Sequence, residues 1–335
     1  MPELSQPGGW LPLVFMGLMG LSMLIYVVLD GYDLGVGILL RTATDEQKDV
    51  MVASIGPFWD ANETWLVLGI GILLTAFPVA HGVILGALYL PVALMLGGLI
   101  LRGVAFDFRV KAHAAHKAGW NFAFFAGSLL AAVAQGVMLG RYITGFAPGV
   151  LPWLFALFVG ASLAAGYVLL GAGWLLMKTE GELQQRAARW GRASLGLTAA
   201  GVLAISLATP WVSPRIFEKW FSFPNLILLA PVPVMTAVLF TVIALALRQV
   251  PHSERWSWVP FAATVGVFML AFFGLAFSLL PYLVVDRLTL WQAAAAPESL
   301  MVILIGALAV LPLIIAYTAY SYWVFWGKAG ELRYD

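Results

Sequence analysis

Long apolar runs, separated by short polar segments, dominate this sequence. A helix that crosses a lipid bilayer needs about 20 predominantly apolar residues, and nine runs approach or exceed that length. They occupy residues 11–30, 57–77, 82–102, 120–140, 150–177, 193–210, 224–247, 258–281 and 299–326. The spacing predicts an all-α polytopic membrane protein with nine transmembrane helices.

Composition agrees with this class. Hydrophobic residues make up 62% of the 335 residues and charged residues only 10%, whereas soluble domains carry about 25% charged residues. The chain has no cysteine, which excludes disulfides, thiolate metal sites and Fe–S clusters. No basic stretch is interleaved with aromatic residues, so the sequence indicates no nucleic-acid partner.

The basic residues are divided unequally between the two sides of the predicted membrane domain. With nine helices, one side holds fourteen of them, namely Arg41, Lys48, Arg102, Arg109, Lys111, Lys117, Lys178, Arg186, Arg189, Arg192, Arg248, Arg255, Lys328 and Arg333. The other side holds four, namely Arg141, Arg215, Lys219 and Arg287. The positive-inside rule places the fourteen in the cytoplasm, with the N-terminus outside and the C-terminus inside.

The loops are short, so we expect residues 1–335 to form a single membrane domain. A faint repeat links Tyr26–Leu29, late in the first run, to Tyr167–Leu170, late in the fifth. It favours two related four-helix bundles, at residues 1–145 and 146–285. The ninth helix and the C-terminal tail, residues 286–335, would then be peripheral.

Acidic residues cluster where the first two predicted helices meet the cytoplasmic face. Asp30 and Asp33 lie in a glycine-rich segment that we expect to end the first helix. Asp60, Asn62 and Glu63 lie in the first turns of a helix that we expect to begin near Pro57. Ionisable groups at membrane depth are costly and mark functional pathways. The pattern therefore predicts a proton pathway through these five polar residues; the alternative is that Asp30 and Asp33 merely cap a turn that the glycines allow.

Several other residues are candidates for supporting roles. Arg102, at the inner end of the third predicted helix, is a plausible partner for one acid, and Trp59 adjoins Asp60. Asp107 and Arg109 belong either to the pathway or to a cytoplasmic salt-bridge cluster. Gln135 lies in the middle of the fourth helix, where a polar side chain usually bridges helices.

Histidines are few and lie outside the predicted spans. His113 and His116 are three residues apart but lie in a basic loop without an acid or cysteine to complete a metal site, so we predict no metal site. The usual axial ligand of a membrane haem is also missing, although a methionine ligand stays open.

Together, several motifs resemble subunit II of the bd-type quinol oxidases. They are Tyr26–Gly37, Pro57–Trp65, Arg102–Arg109, Lys178–Gln184, Phe223–Leu226 and Tyr317–Lys328, and they extend over nearly the whole chain. The segment Asn62–Trp65 resembles the cyanide-insensitive branch of that family. The chain departs from the family pattern in one segment: prolines are expected near 285–286, where it has Val285 and Asp286, and an acid is expected at 292, where it has Gln292.

The resemblance implies an enzyme subunit without a complete active site of its own. Haems b and d and the quinol site would belong to a partner, subunit I, on which this haem-free chain packs in the bacterial cytoplasmic membrane. The chain would supply a cytoplasmic proton route, to which Asp60 corresponds. The resemblance also allows a structural quinone in this subunit, contacts with membrane lipid and quinol, and a small accessory subunit with one helix.

Two other functions fit the composition. One is a stand-alone proton-coupled transporter or channel, and the other is a purely structural scaffold. Transporters often contain inverted repeats and helices broken at mid-membrane, whereas the two copies of the faint repeat run in the same direction. If haem absorbance co-purifies with this chain only when a partner protein is bound, the oxidase subunit is favoured.

Overall fold

The computed structural model describes residues 6–250 and 254–329, so His252 and Arg333 lie outside the described residues. The described part is built almost entirely from helices. They are α1 (Leu11–Leu39), α2 (Asp45–Ile55), α3 (Trp59–Ala76), α4 (Pro78–Lys111), α5 (Ala114–Ile143), α6 (Val150–Lys178), α7 (Gly181–Val212), α8 (Pro214–Phe221), α9 (Asn225–Leu229), α10 (Pro231–Gln249), α11 (Val259–Leu279), α12 (Leu290–Ala293) and α13 (Pro297–Val324).

Within the described residues, eight helical segments are long and apolar enough to cross a membrane. They correspond to eight of the nine predicted runs and include α1, α4, α5, α6, α7, α10, α11 and α13. The remaining run, residues 57–77, forms α3, an 18-residue helix whose first two turns contain Asp60, Asn62 and Glu63. These polar residues lower its hydropathy, so α3 stands apart from the eight.

Helix α1 lies at the centre of the packing and differs most from the prediction. It contacts α3, α5 and α6, and α6 in turn contacts α5, α7 and α11. The first helix was expected to end at the glycine-rich segment after residue 30, but α1 continues to Leu39. Those glycines serve close packing instead of a turn: a Cβ on Gly31 would lie 2.7 Å from the Tyr167 ring, and one on Gly35 would overlap the Tyr167 carbonyl.

Other boundaries also differ from the sequence-based expectation. Helix α3 begins at Trp59, and Pro57 lies in the turn before it. Helix α7 begins at Gly181, twelve residues before the predicted run at 193, because its first turns are polar and escape a hydropathy criterion.

Helix α2 was not predicted, since it is too short and polar to span. Its start is fixed by a capping box between Thr44 and Gln47, a motif that satisfies two free backbone donors at a helix N-terminus. Its last two turns bury Met51, Val52 and Ile55, which attaches the helix to the end of the bundle.

A small hairpin lies at the opposite end of the molecule. Strands β1 (Tyr282–Val284) and β2 (Leu288–Thr289) pair antiparallel. Gln292, where the family pattern has an acid, completes a capping box with Thr289 at the start of α12. An amide can do this as well as a carboxylate, so the departure at this position has a local structural role.

Candidate functional site

A buried guanidinium organises the acidic cluster. Arg102, on α4, is 0% exposed. Its Nη2 donates to Asp30 Oδ1 at 2.7 Å and to Glu63 Oε1 at 2.5 Å. Asp30 comes from α1 and Glu63 from α3, so one side chain joins three helices. The Asp30 side chain is 1% exposed and that of Glu63 is 26% exposed, so the cluster reaches the protein surface at Glu63.

A second branch of the network contains Asp33 and Asn62. The Asn62 amide donates to Asp33 Oδ2 at 2.7 Å and to the Tyr32 hydroxyl at 3.1 Å. Tyr322, from α13, donates to Asn62 Oδ1 at 3.1 Å, and its hydroxyl lies 2.6 Å from that of Tyr32. This branch therefore connects the buried acid on α1 to the last long helix of the chain.

Several atoms of the cluster have no hydrogen-bond partner among the described residues. They are Asp30 Oδ2, Asp33 Oδ1, Arg102 Nε and Arg102 Nη1. Buried polar atoms in proteins are ordinarily satisfied by protein groups or by water. The cluster therefore has unused capacity for water or for a protonated partner.

Asp60 does not join this network. Asp60 is exposed, and so are Thr64 and Val67, which follow it at helical spacing on the same face of α3. The expectation that four carboxylates converge is therefore correct for three of them. The periodicity of the helix turns Glu63 toward Arg102 and leaves Asp60 on the outer side of the same turn.

The supporting candidates separate into different environments. The guanidinium of Arg102 lies 5.7 Å from the centre of the Trp59 ring, within the range of a cation–π interaction. Asp107 is exposed and forms no ion pair with a described residue. Arg109 pairs with Asp49 instead, so the expected Asp107–Arg109 cluster is not formed.

Asp49 links α2 to two other helices at the polar end of the bundle. Arg109 donates to Asp49 Oδ1 at 2.6 Å, and Lys117 donates to Asp49 Oδ2 at 3.0 Å. Asn121 Oδ1 accepts a further hydrogen bond from Arg109 Nε at 2.5 Å. Partial burial raises the pKa of Asp49, but the hydrogen bonds from Lys117 and Arg109 outweigh it and hold that pKa below the usual value.

Gln135 bridges three helices, as its position in the sequence indicated. Its Nε2 donates to the Tyr26 hydroxyl at 2.8 Å, and the Tyr167 hydroxyl donates to its Oε1 at 2.6 Å. The two tyrosines are the first residues of the two faint repeats. Their hydroxyls therefore meet at one amide in the contact between α1, α5 and α6.

No group of three or more potential metal ligands occurs in the part of the chain that the structure describes. His113 precedes α5 and His116 lies in its first turn. Both therefore lie at the polar end of the bundle, where α5 begins.

The sequence did not identify Tyr32, Tyr322, Asp49 or Asn121 as members of these networks. Tyr322 lies 260 residues from Asn62 along the chain, and no spacing rule links such positions. Asp49 could have been suspected, because an acid in a short amphipathic helix beside a basic loop is a natural salt-bridge partner.

Comparison with known proteins identifies the family. The sequence model of the family described as "Cytochrome bd terminal oxidase subunit II" matches residues 11–325, which is nearly the whole chain. The chain belongs to this family. The resemblance drawn from the motifs is thereby confirmed, and the chain is a subunit of a terminal oxidase, which is an oxidoreductase.

Relatives of this subunit II family cover nearly the full length of the chain. Cytochrome bd ubiquinol oxidase subunit 2 of Bacillus subtilis (strain 168) is 28% identical over 323 residues, covering 90% of this chain and 91% of that protein. Cytochrome bd-I ubiquinol oxidase subunit 2 of Escherichia coli (strain K12) is 26% identical over 360 residues, covering 93% of each. Family membership and the eight apolar helices together indicate a multi-pass protein of the bacterial inner membrane.

The fold of the bd oxidases is shared as well. A chain in the structure of the bd oxidase from Geobacillus thermodenitrificans superposes with a TM-score of 0.78 at 17% identity, covering 94% of this chain and 98% of that chain. At this level of identity the likeness concerns the fold. It extends to nearly every helix described above.

Proposed function

We propose that this chain is the haem-free subunit II of a bd-type quinol:oxygen oxidoreductase. It would pack on a haem-bearing subunit I and deliver protons from the cytoplasm for the reduction of oxygen to water. Family membership and the names of the two relatives, both ubiquinol oxidase subunits, support the assembly and the substrate class. The proton pathway rests on the geometry of the acidic cluster.

One observation supports the pathway. The buried acidic cluster reaches the protein surface at Glu63, which lies one turn from the exposed Asp60 on helix α3. Glu63 is partly exposed and contacts Arg102, which contacts the fully buried Asp30. Asp60 lies one turn earlier in α3, on its outer side. A proton taken up at Asp60 would pass to Glu63 and then into the cluster of Asp30 and Asp33.

Charge balance supports protons within this cluster. The guanidinium of Arg102 pairs with the carboxyl groups of Asp30 and Glu63, whereas Asp33 accepts a hydrogen bond from Asn62. An uncompensated charge buried in a protein costs several kcal/mol. Because the cluster holds more carboxyl groups than cations, it favours bound protons, and the unpartnered oxygens of Asp30 and Asp33 offer positions for water.

The position of the histidines supports haem in the partner. His81 lies in the first turn of α4, and His113 and His116 lie where α5 begins. The described histidines are thus at helix ends, and they do not fit the axial ligation of a haem within the bilayer. Haems b and d would be bound by subunit I, and electron transfer would take place there.

We further propose nine spans, with the N-terminus outside and the C-terminus in the cytoplasm. Helix α3 extends between the two ends of α13: Phe58 stacks on Tyr322 with ring centres 4.5 Å apart, and the Ala76 carbonyl accepts from Ala295, just before α13 begins. Its 18 residues are about 27 Å long at 1.5 Å per residue, close to the thickness of the hydrocarbon core.

The helix contacts also support two four-helix groups. The first would contain α1, α3, α4 and α5, and the second α6, α7, α10 and α11, with α1 and α6 in contact between them. Helix α13 would be peripheral, because much of its surface is exposed. The tyrosines of the faint repeat, Tyr26 and Tyr167, lie on the two central helices.

Purification of this chain from its native membrane tests the assignment. An affinity tag on the chain should capture, in mild detergent, a second membrane protein and a haem spectrum that disappears when that protein is removed. A chain that purifies alone and conducts protons in vesicles would instead support a transporter or channel.

A further inference from the structure

A groove on the outer surface of the second helix group contains two arginines. It lies between α7 and α10 and has a volume of about 530 Å³. Its lining includes Arg192, Gly196 and Ala199 from α7 and Thr241, Ala244 and Arg248 from α10.

Both arginines line this groove, one from each of its two helices. A Cβ on Gly191 would lie 3.0 Å from a methyl of Leu247, so Arg192 and Arg248, the next residues of the two helices, are at the same level. Both are exposed, and neither forms an ion pair with a described residue. Two guanidiniums that line one groove without a carboxylate partner favour an anion there.

The rest of the groove is apolar and open. A Cβ on Gly196 would meet no atom within 4 Å, and the side chains of Ala199 and Ala244 are small. The hydroxyl of Thr241 donates to the Ala237 carbonyl at 2.9 Å, so this polar group is already satisfied. From Arg192 to Ala199 the groove extends about 10 Å at 1.5 Å per residue, which accommodates part of an acyl chain.

We propose that this groove binds one anionic phospholipid. Its phosphate lies between Arg192 and Arg248, and one acyl chain follows the slot over Gly196 and Ala244. In the orientation proposed above, the lipid belongs to the cytoplasmic leaflet. Guanidiniums form bidentate, charge-assisted hydrogen bonds with phosphate, and basic pockets between transmembrane helices on the cytoplasmic side suit anionic headgroups. A choline headgroup would bring a further cation toward the two arginines, so phosphatidylglycerol should bind more tightly than phosphatidylcholine.

Native mass spectrometry of the purified, delipidated protein measures this binding directly. We expect phosphatidylglycerol to bind to the wild type, and the double variant Arg192→Gln/Arg248→Gln to bind it roughly tenfold more weakly or worse, because two charge-assisted hydrogen-bond partners are removed. The matched control is Arg189→Gln/Arg255→Gln, which removes the same charge from two exposed arginines outside the groove lining and should bind as the wild type does. Native mass spectrometry detects the bound lipid as added mass on this chain, whether or not a partner is present. The outcome is therefore independent of the proposed oxidase function.

A second variant separates the acyl slot from the headgroup site. A Cβ on Gly196 meets no atom within 4 Å, so Gly196→Leu should place its side chain over the groove and leave both arginines in place. It should weaken phosphatidylglycerol binding while the protein still folds. The proposal is overturned if the double arginine variant binds phosphatidylglycerol like the control, or if phosphatidylcholine binds equally well. It is also overturned if Gly196→Leu has no effect, if inorganic phosphate binds as tightly as the lipid at equal concentration, or if a single-helix protein occupies the groove in the wild type alone.

Discussion

Asp49 joins the short helix α2 to helices α4 and α5 through two ion pairs. Its two oxygens accept hydrogen bonds from Arg109 and Lys117. Arg109 is only 4% exposed, and its remaining partner is Asn121. A buried guanidinium that loses its carboxylate becomes costly, so the carboxylate matters more than an ordinary surface ion pair would.

We expect Asp49→Asn to lower the free energy of unfolding at neutral pH by about 1 kcal/mol, and with it the thermal unfolding midpoint. The loss is small because Asp49 is about half exposed and solvent weakens the pair. The folded-state pKa of Asp49 is depressed. Its contribution to stability is therefore complete above the usual aspartate pKa of about 3.9 and is lost as the pH falls through the lower folded-state value.

The difference between Asp49→Asn and wild type should accordingly shrink in acid. Scans of the detergent-solubilised protein at neutral and acidic pH measure it. Asp45→Asn is the control, because the exposed Asp45–Lys48 pair lies within the same helix and should contribute little. Equal midpoints for Asp49→Asn and wild type at neutral pH would refute the role of Asp49.

The sequence predicted three acids that the structure brings together, and Arg102 as a partner, but not the other hydrogen-bond partners. Asp30, Asp33 and Glu63 were identified because charge is costly in an apolar segment. Their hydrogen-bond partners depend on how distant helices pack, and Tyr322 illustrates this. Nothing in its local sequence distinguishes it from the other tyrosines of α13.

Among the helices, the contact between α1 and α6 depends on glycine. A Cβ on Gly35 would overlap the Tyr167 carbonyl, and one on Gly171 would meet the backbone of α1. Small residues allow such close approach of helices in membranes. The hydrogen bonds of Gln135 to Tyr26 on α1 and Tyr167 on α6 connect the same two helices.

Gly35→Ala should therefore destabilise the protein by about 1–3 kcal/mol, the usual cost of overpacking, and lower the yield of folded material. Gly17→Ala lies in the same helix, where a Cβ meets nothing within 4 Å, and should be neutral or slightly stabilising because alanine favours helix. The unfolding midpoint and the yield from membranes measure both effects. A Gly35→Ala protein as stable as Gly17→Ala would contradict the packing account.

Hydropathy predicted the existence of the long helices well and their ends poorly. The first turns of α7 are polar and project beyond the apolar run, and the glycines of α1 resemble a turn in sequence. The role of these glycines depends on α6, which packs directly against them. Helix α2 and the hairpin β1–β2 are too short for any membrane criterion, so their detection required the structure.

For the molecule as a whole, the proposed orientation rests on the unequal distribution of lysine and arginine. Reporter fusions at His113, between α4 and α5, should report a cytoplasmic location. Fusions at Gly149, between α5 and α6, should report the periplasm. A periplasmic signal at His113 would contradict the proposed topology, and with it the cytoplasmic origin of the proton route.

We propose that this subunit supplies protons through Asp60 and the buried cluster. Asp60 is exposed and forms no hydrogen bond with a described residue, so Asp60→Asn should leave folding and assembly intact while it removes the titratable group. Asp107→Asn is the matched control, because Asp107 is also an exposed acid toward the same end of the bundle.

The decisive measurement is quinol-dependent oxygen uptake by the purified complex, normalised to haem content. Oxygen reduction consumes protons at every turnover, so Asp60→Asn should slow steady-state turnover several-fold with full haem content. Asp60→Glu should retain more activity, and Asp107→Asn should match the wild type. Wild-type turnover in Asp60→Asn with full haem would show that Asp60 is not on an obligatory proton path, and a collapse of haem content would show that its role is structural.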